Sequence, residues 1–238
     1  MIKIVFFLGL LTSCVGLVEE SFEEIDEMIS ETQDTMVLDY LALGDSYTIG
    51  ESVGENDRFP YQLIHSTFND AHKIGKYQII ARTGWTTRNL LDAMDKEVSQ
   101  SDQFSFVTLL IGVNNQYQGK PFSQYESELN ELIDLATVHV GGDASRVVLV
   151  SIPDYSVTPF ASSGDQEKIA REIGQYNDYK KSQAEQKGAR FVYITDLTQS
   201  AQEDLTLLAD DGLHPSAKNY GQWVERISVE IQKIIDGL

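Results

Sequence analysis

Residues 104–111, FSFVTLLI, are a near-continuous apolar run that ends at Gly112. A strand with one wet face alternates apolar and polar residues, whereas a run without alternation suits a central parallel strand buried on both faces. Such a strand needs helices above and below it. The rest of the chain supplies them: residues 38–43, 77–81, 146–151 and 189–194 read as four further strands. Helical spacing covers 61–68, with Pro60 near its start, and a stretch from an N-cap at Thr86 or Thr87 to about Val98. It continues from a cap at Ser123 to about Val138, then over 165–187 and 216–235, while 196–213 reads as irregular. Five strands joined by right-handed helical crossovers make one doubly wound parallel sheet.

The chain has 238 residues, 42% of them hydrophobic, enough for one such domain with a sizeable core. In open α/β sheets the chemistry gathers outside the carboxyl ends of the strands. The loops to search are therefore 44–50, 82–86, 112–119, 152–164 and 196–215. The first lies in LALGDSYTIG, residues 41–50, where a tight turn carries Gly44-Asp45-Ser46. The last holds Asp210-Asp211-Gly212-Leu213-His214-Pro215. Gly212 permits a sharp turn, so the Asp211 carboxylate can accept the Nδ1 proton of His214 and leave Nε2 free as a base. Of the four histidines, only His214 falls on one of these loops beside an acid. The third loop opens Gly112-Val113-Asn114-Asn115, which brings the Asn114 amide to a strand end. An amide donor to an oxyanion is worth about 3–4 kcal/mol in acyl-transfer enzymes. Gly84, on the second loop, offers a backbone N–H. No second histidine stands at a ligand spacing from His214, so neither a metal nor a cofactor is expected.

Gly44-Asp45-Ser46, Gly84, Gly112-Val113-Asn114 and Asp211-Gly212-Leu213-His214-Pro215 resemble, in order, the four blocks of the SGNH hydrolases, the GDSL esterases and lipases. The resemblance spans residues 38–238. It implies a three-layer α/β/α sandwich around a five-stranded parallel, flavodoxin-like sheet. It also implies a serine esterase with Ser46 as nucleophile, His214 as base and Asp211 as the orienting carboxylate. The Ser46 N–H, the Gly84 N–H and the Asn114 side chain would form the oxyanion hole. The family usually has aspartate after the block asparagine; this chain has Asn115. Tyr117, Tyr155 and Phe160, with Asn115 as a polar contact, are expected to line the substrate pocket. Aromatics beside amides suit small-acyl, carbohydrate or lysophospholipid esters.

The amino terminus carries a separate message. Ile4 to Leu11 is apolar and far shorter than the ~20 residues of a membrane-spanning helix. It is followed by Thr12-Ser13-Cys14, and Cys14 is the single cysteine of the chain. The layout is that of a secretory signal and resembles the lipobox of bacterial lipoproteins. The expected organisation is a signal peptide over 1–14 with lipidation at Cys14, an acidic tether over 15–37 and the hydrolase domain over 38–238. The protein would then be lipid-anchored in the bacterial cell envelope, periplasmic or at the surface, with the membrane as a partner. A formal charge of −19 argues against nucleic acid as a partner.

Three other readings compete. A flavin or phosphate site on GDSYTIG would place Asp45 against the phosphate and leave DGLHP unexplained. A metal site on Asp210, Asp211 and His214 lacks a further histidine. A catalytically idle surface lipoprotein that binds glycans on the same fold has the intact Ser46, Asp211 and His214 against it.

Overall fold

The apolar run becomes strand β3 (Phe106–Leu110), in which every residue is buried. The computed structural model describes residues 35–68 and 72–238, and the compact unit within it is Val37–Leu238. Strands β1 (Met36–Asp45), β2 (His72–Arg82), β4 (Val147–Val150) and β5 (Arg190–Val192) complete a five-stranded sheet in the order β2-β1-β3-β4-β5. The β1–β3, β3–β4 and β4–β5 pairs run parallel, with Gly44 opposite Leu110, Leu109 opposite Leu149 and Val150 opposite Val192. The sheet and its helices match the expected flavodoxin-like, three-layer α/β/α class. Strand order reverses between β1 and β3, which makes their carboxyl ends the topological switch point and the natural place for a site.

The helices follow from local signals. In α2 (Phe59–Thr67) Pro60 occupies the first turn, where its missing N–H costs nothing. Helix α3 (Thr87–Glu97) starts at a reciprocal cap: Thr86 Oγ1 accepts from the Asn89 N–H, and Asn89 Oδ1 accepts from the Thr86 N–H. Asp165 caps α6 (Gln166–Lys187), and Ser216 caps α8 (Ala217–Ile235). Helix α5 (Phe122–Val138) starts one residue before Ser123, behind Pro121, so Ser123 is not its cap. Helices α2 and α8 pack against each other, as do α3 with α5 and α5 with α6. Right-handed crossovers in this strand order put the first pair on one face of the sheet and the other three helices on the opposite face. Helix α8 buries Tyr220, Trp223, Val224, Ile227, Ile231 and Ile234 along one stripe. Burying a large apolar side chain of this kind is worth about 1.5–3 kcal/mol.

Several boundaries differ from expectation, each for a local reason. β2 begins at His72 rather than Tyr77, because an edge strand tolerates the polar residues of HKIGKY. Gly44 and Asp45 close β1 instead of forming a turn, and Ser46 opens the short helix α1 (Ser46–Ile49). Loop 112–119 contains α4 (Val113–Tyr117), and the stretch read as irregular begins with α7 (Thr195–Gln199). Met36 and Val37 belong to β1 rather than to the tether. Cys14, the signal peptide over 1–14 and residues 15–34 of the acidic stretch lie outside the described residues. Among the described residues no helix is long and apolar enough to cross a membrane.

Candidate active site

Ser46 stands at the switch point, at the first position after β1. Asp45 fixes this junction, since its Oδ1 accepts from the Tyr47 N–H at 3.1 Å and starts α1 directly behind the strand. Gly44 is what lets α1 fold back so tightly. A Cβ at Gly44 would collide with the Thr48 side chain and with the Leu110 carbonyl. From the other face α8 braces the turn: Tyr220 donates its hydroxyl to the Tyr47 carbonyl at 2.9 Å, and Tyr220 is itself packed edge-on against Trp223.

The last loop brings His214 to the same point. The Ser46 hydroxyl donates to His214 Nε2 at 2.9 Å, and His214 Nδ1 donates to Asp211 Oδ2 at 2.6 Å. Asp211 is held by more than the histidine. Its Oδ1 accepts the backbone N–H groups of Leu213 and His214, both at 2.9 Å, across Gly212 at φ 68. Ser52 donates its hydroxyl to Asp211 Oδ2 at 2.7 Å. Burial pushes the Asp211 carboxyl up, but the hydrogen bonds from Ser52, from the His214 ring and from the two backbone N–H groups outweigh it and hold it at about 2. Asp211 is therefore an anion throughout the neutral range, and Nδ1 keeps its proton.

Gly84 and Asn114 line the same pocket as His214. Gly112 leaves β3 at φ 127, a backbone conformation open to glycine, and a Cβ there would sit 2.7 Å from the Tyr125 ring. Asn114 then reaches the mouth of the sheet, where its Nδ2 donates one proton to the Trp85 carbonyl at 3.0 Å. That bond orients the amide and leaves its second proton for a ligand. Ser46, Gly84, Asn114 and His214 all line one cavity of about 210 Å³. Its walls are mostly apolar: Tyr117, Tyr155 and Phe160, the three aromatics singled out from the sequence, together with Val113 and Leu213. The Tyr155 and Tyr117 rings meet edge-on with centroids 6.1 Å apart.

Asn115 is the exception. It is fully buried and faces away from the cavity, so it does not contact substrate. Its Oδ1 accepts from the Thr87 N–H at 3.0 Å, and its Nδ2 donates to Thr87 Oγ1 at 2.7 Å. Thr87 Oγ1 in turn donates its single proton to Glu128. This explains why an amide stands where the family usually has aspartate. With the Thr87 proton already committed to Glu128, the neighbour must donate to Thr87 as well as accept from its N–H. A carboxylate cannot do so and would bring a second buried charge towards Glu128. Asn115→Asp is accordingly expected to lower stability by about 1–3 kcal/mol in urea unfolding, the range for a buried polar group left unpaired.

Ser52 was not foreseen: its contact with Asp211 depends on its own left-handed backbone at φ 65. Lys180 was also unforeseen. It is fully buried beneath the site and donates to the Ile111 carbonyl at 3.0 Å and the Val150 carbonyl at 2.8 Å. Among the described residues no cluster of three or more His, Cys, Asp or Glu side chains is arranged to hold a metal ion.

A serine hydroxyl bonded to an imidazole, with a carboxylate on the far nitrogen and an amide donor in the same cavity, is a constellation for acyl transfer. Comparison with known proteins agrees. The model of the GDSL-like Lipase/Acylhydrolase family matches residues 42–221. The chain belongs to that family. It is a carboxylic ester hydrolase. Solved structures share the fold at low identity. An acetylxylan esterase from Geobacillus stearothermophilus aligns at 20% identity with a TM-score of 0.60, covering 82% of this chain and 94% of that one. The psychrotrophic esterase EstA from a Pseudoalteromonas species aligns at 16% identity and a TM-score of 0.60, covering 83% and 98%. A member of the lipolytic G-D-S-L family from Veillonella parvula aligns at 15% identity and 0.62, covering 84% and 99%. No curated protein sequence matches this chain.

Proposed function

We propose that this GDSL hydrolase cleaves esters of short acyl groups through an acyl-serine at Ser46. The observation that carries the reading is the continuous hydrogen-bonded line Ser46–His214–Asp211 at the floor of a small apolar cavity. His214 Nε2 takes the Ser46 proton as Oγ attacks the ester carbonyl. The negative charge that forms on the carbonyl oxygen is met by the free proton of the Asn114 amide and by the backbone N–H groups of Ser46 and Gly84. Asp211 stabilises the imidazolium without taking its proton, since its carboxyl is held at about 2. His214 then protonates the leaving alcohol, and the reverse sequence with water releases the acid.

The size of the cavity supports a short acyl chain. About 210 Å³, lined by Tyr117, Tyr155 and Phe160, is below the ~300 Å³ at which pockets for drug-sized ligands begin. Small-acyl esters of carbohydrates fit this reading better than esters of long fatty acids, and an esterase of acetylated xylan shares the fold. A series of p-nitrophenyl esters from acetyl to palmitoyl tests it. The expected kcat/KM is highest for acetyl to butyryl and falls at least tenfold, about 1.4 kcal/mol, by octanoyl. A maximum at lauroyl or beyond would reverse the reading.

We also propose that Cys14 is lipidated and becomes the first residue once residues 1–13 are removed, and that the acidic stretch behind it tethers the hydrolase to the cell envelope. The run Ile4 to Leu11 followed by the single cysteine supports this.

A further inference from the structure

A second cavity, of about 520 Å³, opens beside the first, and Tyr117 stands in the wall of both. It lies between α4, the start of α5 and the first half of α6. The two cavities differ in chemistry. The first is walled almost entirely by apolar and aromatic groups. The second sets three rings, Tyr117, Phe122 and Tyr176, among the amides of Gln116 and Gln175. Two lysines, Lys120 and Lys168, face two carboxylates, Asp165 and Glu172, so its charges balance.

One side chain links the two spaces. Gln116 accepts the Tyr155 hydroxyl at 2.8 Å on the side of the first cavity and donates to Glu172 at 2.8 Å on the side of the second. Glu172 also pairs with Lys168 at 3.8 Å. Amides and charged groups held in this way present both donors and acceptors in fixed directions, with aromatic faces between them. Pyranose rings have the matching chemistry: hydroxyls that donate and accept around an edge, and apolar C–H faces that lie on aromatic rings. A fatty chain would strip water from the lysines, carboxylates and amides without replacing their hydrogen bonds, at a cost of about 1–3 kcal/mol per group. The balance of charge gives no net attraction for a phosphorylated headgroup.

We infer that the second cavity binds the alcohol portion of the ester, and that this alcohol is an oligosaccharide of neutral pyranose units. The inference rests on the short-acyl esterase reading, because it places the acyl group in the first cavity and uses Tyr117 as the shared wall.

Mono-O-acetylated trisaccharides of xylose, glucose and N-acetylglucosamine test it against p-nitrophenyl acetate, which has no saccharide to bind. Two variants are assayed: Lys168→Ala, at an exposed position, and Gln175→Trp, which fills the cavity from an exposed helix position. The wild type is expected to hydrolyse at least one of the acetylated trisaccharides. For that substrate, the ratio of its kcat/KM to that for p-nitrophenyl acetate should fall about tenfold in Gln175→Trp. In Lys168→Ala it should fall about threefold to tenfold, the value of one hydrogen bond. An unchanged ratio in both variants overturns the inference. So does a wild type that turns over p-nitrophenyl acetate but none of the three saccharide esters. A loss confined to a lysophospholipid substrate would assign the cavity to a lipid alcohol instead. A wild type inactive on p-nitrophenyl acetate would overturn the esterase reading itself, a separate result.

Discussion

Ser46→Ala is expected to reduce turnover of p-nitrophenyl acetate by about 10⁴-fold or more while leaving the fold in place. The size of the effect follows from the geometry. Ser46 Oγ is the hydroxyl bonded to His214, and among the described residues no other side-chain hydroxyl is hydrogen-bonded to that ring. Alanine removes one hydrogen bond and no packing volume beyond an oxygen, so stability should change by about 1 kcal/mol or less. His214→Ala should lose a comparable factor, because Ser46 then has no base. The double variant should lose little more than either single one, since serine and imidazole act as one unit. Initial rates for the three variants, with thermal unfolding as a control on the fold, decide the matter. A fluorophosphonate should label the wild type at Ser46 and leave Ser46→Ala unlabelled. Wild-type rates from folded Ser46→Ala would remove the basis for the assignment.

How much of this was legible in the sequence depends on how each residue does its work. Strand β3 was legible because burial on both faces favours a nearly unbroken apolar run, and 106–110 is one but for Thr108. The meeting of Ser46, Asp211 and His214 was legible because a hydroxyl, a carboxylate and an imidazole stand on loops at the ends of strands, and the strand order brings those ends together. The direction of Asn115 was not legible. Neighbouring residues on a helix such as α4 point about 100° apart. Placing Asn114 towards the pocket therefore turns Asn115 into the core, but only once α4 is known to be a helix and not a loop. Ser52 was hidden for a similar reason, since it acts through an unusual backbone conformation that serine does not announce. Lys180 did leave a trace. In α6 the buried positions Ile173, Tyr176, Asn177 and Ala184 recur at helical spacing, and Lys180 falls on the same stripe. In a helix otherwise rich in Lys, Glu and Gln, a lysine reads as solvated unless that stripe is drawn first.

Lys180→Met is expected to lower stability by about 2–6 kcal/mol at pH 8, because it leaves the buried Ile111 and Val150 carbonyls without their donor, at about 1–3 kcal/mol each. Lys180 ties together the Ile111 and Val150 carbonyls, the points where β3 and β4 give way to the two loops that build the pocket. Its charge also acts on Asp45, which is fully buried and whose Oδ2 has no hydrogen-bond partner. Burial drives the Asp45 carboxyl up, against the Tyr47 N–H and the charge of Lys180, which hold it lower. Burial drives Lys180 down, against the charge of Asp45. The sign of the pH dependence follows from both shifts. Without Lys180 the Asp45 carboxyl rises further, so the folded variant keeps a proton that the unfolded chain has released, and its stability falls as pH rises. In the wild type a lysine depressed by folding makes the unfolded chain the one that binds more protons at alkaline pH, and stability rises there. The two effects add, so the gap between wild type and Lys180→Met should widen from pH 5 to pH 8, by about 1 kcal/mol or more. Urea unfolding at the two pH values measures it. Because Ile111 precedes Gly112 and Asn114, kcat should also fall by about tenfold with KM little changed, the signature of a displaced transition-state donor. A gap that closes towards pH 8 would mean that the charges of Asp45 and Lys180 do not support each other, and Lys180 would be left with the carbonyl bonds alone.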